Sequence, residues 1–544
     1  MHKPAAVEAP ANASLTPRQS QILGLLRAGK VNKEIANELG IGLGTVKQHV
    51  VALFKKLKVR NRAMAITHGM EATGERRSAP RLQGDGLLES RPCVVMSVAL
   101  PESTPGSGGR LLHQTLATYA FDHDALFLAR KGNAGDLIFG IQHPREHDLF
   151  LVLRAAHIVF SALAAQDEAL AATLQGGLTA GMVVASMNRH GGWSGEAIAS
   201  PAIAQARELA QAAKPGRLAL SPSADDLLEA LSPCATAPAV PEYFAFQALD
   251  RFPWSAGRDL QAPVGRNLEL ACLDALLDAV AHGAHRLAYL EGETGMGKST
   301  LCRYVAARCA DRNGRAHHFV CAPASDGALI YALPDGRPTS IDAILTLLAA
   351  PAAARPEAII VDDGHLLPED AQAELAGQGP DAAGRLVFIA GRRLPDKSAR
   401  ADEALRLGRL SQDATEQLVL RTLGLSRSSP LVTTLSRNAS GVPLFAVQLA
   451  RQRERGPLPL PLRFVIGARM DSLGLDHVLL RRVARRSPPQ NLAELAAAMD
   501  ASVDTVKAAT ELAVASGVLR RDGEDRYSFT HPLLRQAVIE AQVE

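Results

Sequence analysis

The sequence of 544 residues lacks any apolar run near the roughly 18 residues that a membrane-spanning helix needs. Its first residues, MHKPAAVEAPANASLT, contain no apolar core of a signal peptide. The six cysteines, at positions 93, 234, 272, 302, 309 and 321, show no paired CxxC spacing. We therefore expect a cytoplasmic protein with free thiols and no membrane partner. Metal ligation by Cys302 and Cys309 is the unfavoured alternative.

No internal repeat of 20 to 50 residues is present, which excludes a solenoid or propeller. Charge is unevenly distributed: residues 1–80 hold 13 Lys and Arg against 5 Asp and Glu, a balance of +8. Because the whole chain carries +3, residues 81–544 sum to −5. A basic N-terminal part on a mildly acidic body predicts a polyanion partner for that part alone.

Composition shifts and Gly/Pro-rich breakers predict a multidomain α and α/β protein, because one core does not extend over so long a chain. The boundaries from composition, together with the motifs and family resemblances of each segment, predict a disordered tail at 1–13, a helix-turn-helix bundle at 14–72, a linker at 73–90, a ferredoxin-like α/β domain at 91–232, a linker at 233–262, a P-loop parallel-sheet domain at 263–410, a helical lid at 411–460 and a winged helix at 461–544.

Residues 15–66, from LTPRQSQILGLL to NRAMAI, resemble the LuxR/GerE-type helix-turn-helix. The matching positions are Leu15, Thr16, Pro17, Arg18, Gly29, Asn32, Lys33, Glu34, Ile35, Ala36, Leu39, Thr45, Val46, Lys47, His49, Lys56, Leu57, Val59 and Arg62. The resemblance implies a recognition helix at about 43–57 in the major groove of double-stranded DNA. Gln19 and Gly42 depart from the family's usual Glu and Ser. The predicted DNA contacts are Lys33, Thr45, Lys47, Gln48, His49, Lys55, Lys56 and Arg62. The alternative is a basic bundle that binds protein.

The stretches VVMSVALPE, GNAGDLIFG, LQGGLTAGM and KPGRLALS resemble class III nucleotide cyclase homology domains. Such cyclases need two carboxylates to hold two metal ions. Asp136 matches one of them, but Ser97, Val98 and Ala99 occupy the region of the other. Alignment on residues 215–216 places Ala204 and Glu208 at the ribose-positioning and phosphate-stabilising positions. The domain is therefore predicted to be inactive, with Asp136 either a turn residue or a residual metal ligand. An alignment that puts Arg207 in the arginine's role keeps a nucleotide cyclase as the alternative function.

The stretch GETGMGKS at 292–299 matches the phosphate-loop pattern G-x4-G-K-[ST], between an apolar strand (RLAYLE) and a helix (STLCRYVAARCA). That order directs backbone N–H groups and a helix N-terminus at phosphates. Lys298 is predicted to reach the β and γ phosphates, and Ser299 to ligate Mg²⁺. The predicted ATP/ADP-binding residues here are Gly292, Glu293, Thr294, Gly295, Met296, Gly297, Lys298, Ser299 and Thr300.

Downstream, EAIIVDDGHLLPED predicts a buried strand that ends in two acids. Asp362 is expected to hold Mg²⁺, and Asp363 to orient the attacking water, so Lys298 and Asp363 are the catalytic candidates. The next strand, RLVFIAGRR, ends in Arg392 and Arg393, either of which is a candidate sensor of the γ phosphate.

Residues 264–544 resemble the STAND class of signalling ATPases, on VGRNLEL, LSQDATEQLVL, NASGVPLFAVQLAR and YSFTHPLLRQAVIE. The resemblance implies Pro443 against the adenine, His531 near the β phosphate and, more weakly, Arg266 near the base or ribose. Alternatively Pro443 starts a helix and His531 is a core histidine. The recognition-like helix SVDTVKAATELAVASG has Lys507 as its one basic residue, so it is expected to pack against protein.

Together these features predict a transcriptional regulator whose slow ATPase switches nucleotide-dependent homo-oligomerisation and DNA binding, in response to an inducer or a partner protein. An ATPase-regulated cyclase and an ATP-driven scaffold without a gene target are the alternatives.

Overall fold

The computed structural model describes two compact units, at 1–86 with 193–197 and at 87–192 with 198–544. The described residues are 18–19, 21–23, 39, 50, 53, 87–142, 144–145, 147–189, 193–194, 198–231, 243–246, 249, 262–324, 327–333, 336–350, 355–377, 384–392, 401–452, 456–486, 491–523 and 526–543.

The described residues between 18 and 53 are helical. Ile22, Val50 and Leu53 are fully buried. Arg18 donates to the carbonyl of Leu39, with its guanidinium nitrogen 2.8 Å from the oxygen. All eight predicted DNA-contact residues lie outside the described residues.

The second unit begins with a six-stranded sheet in the order β2-β3-β1-β4-β5-β6. Its strands are Leu87–Ala99 (β1), Leu126–Ala129 (β2), Ala134–Phe139 (β3), Gln175–Met187 (β4), Arg217–Leu220 (β5) and Tyr243–Ala245 (β6). Its helices are Gly106–Asp122 (α1), Asp148–Gln166 (α2), Glu168–Ala171 (α3), Pro201–Ala212 (α4) and Pro222–Leu231 (α5). β1 lies antiparallel between β3 and β4, and β4 runs parallel to β5.

Glycine lets α4 approach β4 closely. A Cβ at Gly177 would lie 2.2 Å from the carbonyl oxygen of Ala206 and 2.5 Å from the amide nitrogen of Ala210. Both atoms are backbone, so any larger residue would push α4 away from the sheet.

Two segments predicted as linkers contribute to this sheet. β1 begins at Leu87, inside the predicted linker 73–90, and β6 lies within the predicted linker 233–262. Phe246, just after β6, is fully buried in the core. Those parts of both linker predictions are therefore wrong. β6 is a short edge strand, which carries too little periodic signal to be distinguished from a connection, whereas β1 is a central strand that begins slightly before the predicted boundary.

The second sheet has seven strands in the order β10-β9-β8-β11-β12-β7-β13. They are Arg286–Glu291 (β7), Arg315–Ala324 (β8), Gly327–Leu333 (β9), Arg337–Thr339 (β10), Glu357–Asp362 (β11), Arg385–Gly391 (β12) and Glu403–Arg406 (β13). β8, β11, β12, β7 and β13 are parallel, whereas β9 and β10 extend the sheet as antiparallel strands. The helices of this part are Asn267–Ala281 (α6), Lys298–Asp311 (α7), Ile341–Ala349 (α8) and Glu369–Gly377 (α9).

The two sheets share apolar packing. Val320 and Ala322 of β8 and Tyr331 of β9 belong to the same core cluster as the side chains of α2, and Arg154 of α2 hydrogen-bonds Tyr331. α2 is the one helix among the described residues that is long and apolar enough to cross a membrane, and more than half of its most apolar window is buried in the protein. The apolar side chains of α2 therefore pack in the core between the two sheets.

Helices and one two-stranded hairpin complete the unit. They are Gln412–Leu423 (α10), Pro430–Ala439 (α11), Pro443–Gln452 (α12), Leu460–Ser472 (α13), His477–Arg485 (α14), Leu492–Met499 (α15), Val503–Ala515 (α16), Leu519–Asp522 (β14), Arg526–Phe529 (β15) and Pro532–Glu540 (α17). Polar residues cap several of the helices, as Ser411 does for α10 by accepting from the Ala414 amide. Asn491 and Glu494 form a reciprocal capping box on α15.

A buried cluster of charges, which we call the junction cluster, joins β1 to α13 and α14. It comprises Glu89, Arg91, Asp471, His477 and Arg481. The guanidinium of Arg91 pairs with Asp471 and lies 3.1 Å from Glu89. Burial alone would raise the pKa of Glu89, but the hydrogen bond with His477 and the charges of Arg91 and Arg481 lower it to about 2. Glu89 is therefore charged at neutral pH, and cations inside the protein match its charge.

Candidate nucleotide site

The phosphate loop lies where the sequence places it, between β7 and α7. Gly295 and Gly297 have φ of 78° and 97°, values that favour glycine, so the loop needs both of them. The Lys298 amine donates to the carbonyl oxygens of Gly292 at 2.9 Å and Glu293 at 3.2 Å. The first amides of α7 and this amine together form a basic, hydrogen-bond-donating pocket suited to phosphate.

The two predicted acids lie at the end of β11, and β12 is the single strand between β11 and the loop strand β7. The Asp362 side chain is fully buried and hydrogen-bonds Ser299, and its Oδ1 accepts from the amide of Asp363 at 3.0 Å. Burial and the neighbouring charge of Asp363 raise the pKa of Asp362. Its Oδ2 is buried without a hydrogen-bond partner among the described residues. A hydroxyl and a carboxylate with a free buried oxygen are the hard donors that Mg²⁺ prefers.

Asp363 follows in a left-handed conformation with φ of 53°, which an aspartate tolerates better than most residues. Its Oδ1 lies 3.8 Å from Nδ1 of His365. Burial, together with the charges of Lys298 and Arg392, lowers the pKa of His365 to about 4, so the imidazole is neutral at pH 7. Arg392, at the end of β12, donates to the Thr294 hydroxyl at 3.0 Å. Arg393 lies outside the described residues.

A cleft of about 1370 Å³ opens between the loop, the end of β12, α9 and the C-terminal helices. Glu293, Thr294, Arg392 and His531 line it, as do Arg409 and Arg469, which the sequence reading did not single out. Arg469 of α13 binds the loop residue Glu293, with nitrogen and carboxylate oxygen 2.6 Å apart. No local pattern marks Arg469, because it is nearly 180 residues from its partner in the sequence.

α12 also touches the loop directly. The amide of Leu444 donates to the carbonyl of Gly295 at 3.1 Å, which places Pro443 beside the loop. His531 reaches the wall of the cleft, where its ring packs edge-on against Phe445. Its Nδ1 accepts from the Leu533 amide at 3.0 Å and so caps α17, and Nε2 lies 3.4 Å from the Ala439 carbonyl. Both ring nitrogens are thus engaged by the protein.

Arg266 is buried and hydrogen-bonds the phosphate loop. Its guanidinium donates to the carbonyl oxygens of Met296 at 3.2 Å and Gly408 at 2.8 Å. These bonds tie the last loop residues to the segment that leads into α10.

The sheet of the first half brings Asp136 and Ser97 side by side across β3 and β1. Asp136 lies within β3, so the turn-residue interpretation is wrong. Its carboxylate is fully buried and receives two hydrogen bonds from Arg207 of α4, at 2.6 and 2.9 Å. Arg130 lies 3.6 Å away and donates to Ser97 at 3.0 Å. Arg207, and not the exposed Glu208, therefore faces Asp136, and two guanidiniums occupy the surroundings that two metal ions would need.

Two family profiles match separate segments of the chain. Residues 13–68 match the bacterial regulatory proteins of the luxR family, and residues 262–434 match the AAA ATPase domain. Two curated relatives match segments of similar length to the first of these. The HTH-type transcriptional regulator YhjB of Escherichia coli is 50% identical over 52 residues, 10% of this chain and 26% of YhjB. The transcriptional regulatory protein DesR of Bacillus subtilis is 46% identical over 57 residues, 10% of this chain and 29% of DesR.

The chain thus spans little more than a quarter of the length of these relatives. Among solved structures, a RuvB variant of Thermotoga maritima is 17% identical and covers 52% of this chain and 96% of its own, with a TM-score of 0.30. The adenylyl cyclase CyaB from P. aeruginosa is 15% identical and covers 26% and 82%, with a TM-score of 0.20. The two family profiles show that the chain carries a LuxR-type helix-turn-helix region and an AAA-type P-loop ATPase domain.

Proposed function

We propose that this protein is a DNA-binding transcriptional regulator whose ATPase is a STAND-type switch. Bound ADP holds the loop, the lid and the C-terminal helices closed. Exchange for ATP and Mg²⁺ opens them, promotes self-association and pairs the helix-turn-helix regions on double-stranded DNA. The LuxR-type segment and the basic charge of residues 1–80 support DNA as the output.

The observation that carries the proposal is the contact between the phosphate loop and the C-terminal helices. Glu293 of the loop binds Arg469 of α13, and Gly295 of the loop binds Leu444 of α12. A nucleotide that enters the cleft would therefore bind the same short loop that holds the C-terminal helices. A ligand shifts a conformational equilibrium only through its different affinities for the two states, and a shared loop supplies such a difference.

Within the site, Lys298 and the first amides of α7 are proposed to bind the β and γ phosphates. Ser299 and Asp362 would hold Mg²⁺, whose charge offsets that of the triphosphate when it is bound. Asp363 is proposed to accept a hydrogen bond from the attacking water and so align it, and Arg392 to contact the γ phosphate. Pro443 is proposed to lie against the adenine base. Slow hydrolysis by this arrangement would reset the switch.

The first test compares three nucleotide conditions on the intact chain. With ATP and Mg²⁺ we expect a larger assembly in light scattering and at least tenfold tighter binding to operator DNA than with ADP. Without nucleotide the protein is expected to behave as with ADP. Equal oligomeric state and equal DNA affinity in all three conditions would contradict the switch.

DNA binding should also depend steeply on salt, because cationic side chains release counterions from the phosphates. We expect affinity for duplex DNA to fall by at least tenfold between about 50 and 200 mM monovalent salt. Removal of residues 1–70 should abolish the binding. Binding that is insensitive to salt, or that survives this truncation, would point to a protein-binding bundle instead.

The α/β module at 87–246 is proposed to be an inactive cyclase relative that transmits a signal. The pairing of Asp136 with Arg207 and Arg130 supports this, because a metal ion would have to displace both guanidiniums. The module's position against β8 and β9 makes it a suitable receiver for an inducer or a partner protein. A cyclase assay with ATP or GTP and Mn²⁺ on the purified chain would overturn this interpretation if it yielded cyclic nucleotide.

A further inference from the structure

Behind the phosphate loop lies a buried group of three metal-binding side chains, which we call the thiol cluster. Cys302 belongs to α7, His318 to β8 and Asp362 to β11. The thiol sulfur, a ring nitrogen and a carboxylate oxygen all lie within 4.8 Å of one another. All three residues are buried, with Cys302 and Asp362 fully so.

Two polar atoms of this cluster are buried without a hydrogen-bond partner among the described residues. They are Nε2 of His318 and Oδ2 of Asp362. Leaving a polar atom buried and unpaired is unfavourable, so such atoms in a folded protein call for an explanation. A shared ligand between them would satisfy both at once.

We propose that Cys302, His318 and Asp362 bind one zinc ion. Sulfur, imidazole nitrogen and carboxylate oxygen are the donor types that zinc takes in tetrahedral sites, whereas Mg²⁺ prefers oxygen donors. Three protein ligands leave a fourth position for water, as in zinc sites that remain open to exchange. Binding forms a zinc–sulfur bond and releases the thiol proton of Cys302 to solvent, with no change of oxidation state.

The consequence for nucleotide binding rests on the function proposed above. Asp362 belongs both to the thiol cluster and to the proposed magnesium site, and Ser299 hydrogen-bonds it from the first turn of α7. Zinc bound through Asp362 would remove this carboxylate from Mg²⁺. The ion would then hold the switch in the state that does not bind ATP with Mg²⁺, and the regulator would respond to zinc.

The binding itself is tested with Co²⁺ as a spectroscopic substitute for Zn²⁺. The full-length protein, stripped of metal with a chelator, is titrated with Co²⁺ and then with Zn²⁺. We expect one equivalent of Co²⁺ to give a thiolate-to-cobalt absorption band that Zn²⁺ abolishes. Cys302→Ser should lose the band, and His318→Gln should weaken Co²⁺ binding at least tenfold. Cys321→Ser, a buried cysteine on the same strand as His318, is the matched control and should bind as the wild type does.

A wild-type titration without the sulfur band, or a Cys302→Ser variant that retains it, would overturn the site. Binding of labelled ADP without metal monitors folding of each variant. The regulatory step is tested by measuring the Zn²⁺ concentration that halves Mg²⁺-dependent ATP binding. This Zn²⁺ concentration should be at least tenfold higher for Cys302→Ser than for the wild type. If the protein binds zinc but not ATP, the metal site is supported and the proposed function is contradicted. If the protein binds ATP but not zinc, the zinc site is contradicted and the proposed function is not.

Discussion

Lys298→Ala is expected to lose ATP affinity by about a hundredfold and to lose ATP-dependent DNA binding with it. The Lys298 amine lies among the carbonyl oxygens of the loop, 2.9 Å from that of Gly292. A charge-assisted hydrogen bond to phosphate contributes about 1.5–3 kcal/mol, and about 1.4 kcal/mol corresponds to a factor of ten. The measurements are titration with a fluorescent ATP analogue and promoter activation in cells.

Lys507→Ala is the matched control, because Lys507 is an exposed lysine on α16 and no part of the cleft. It should bind ATP and activate as the wild type does. A Lys298→Ala protein that fails to bind ATP but still activates its promoter would separate the ATPase from the output, and the switch would have to be abandoned.

Asp471→Ala is expected to destabilise the unit that begins at Leu87 by about 3–5 kcal/mol. The change leaves Glu89 as the one acid of the junction cluster, shared between Arg91 and Arg481, so a buried excess of positive charge remains, and such a charge is costly. The expected result is a clear fall in the midpoint of thermal unfolding. In limited proteolysis, the variant should also be cleaved faster than the wild type, because the contact between β1 and the C-terminal helices is weakened.

Asp311→Ala provides the comparison for Asp471→Ala. Asp311 also pairs with an arginine, Arg308, but its side chain is 60% exposed, so its removal should change the unfolding free energy by less than about 1 kcal/mol. Equal midpoints for the two variants would mean that the junction cluster does not hold the parts together. Midpoints are compared because a chain of several modules need not unfold in a single step.

The phosphate loop and Asp362 were predictable because each is a short, contiguous signal. The eight residues GETGMGKS, which follow an apolar strand and lead into a helix, identify the loop, and the strand before Asp362 sets its position at the same sheet edge. Arg469 and His318 carry no such signal. Their roles depend on which helices and strands become neighbours, and that follows from the packing of the whole unit.

The first sheet illustrates the same limit. The sequence indicates that Asp136 lacks an acidic companion, and the register confirms Ser97 opposite it. Which of Arg207 and Glu208 faces Asp136 depends on the rotation of α4, and one helical position changes the direction by about 100°. An alignment with an uncertainty of one residue therefore leaves the charge of the pocket undecided.

The joint between α2 and the strands β8 and β9 bears on how the chain can be divided. In a fragment that begins at residue 262, the side chains of Val320, Ala322 and Tyr331 would be exposed to solvent. The fragment would still contain every residue of the nucleotide site. Such a fragment should aggregate, or should need a substitute for the missing face. The ATPase and the module before it therefore share one core and cannot be separated without exposing it. A change that loosens this core on either side should also displace β8, which hydrogen-bonds to the strand that ends in Asp362.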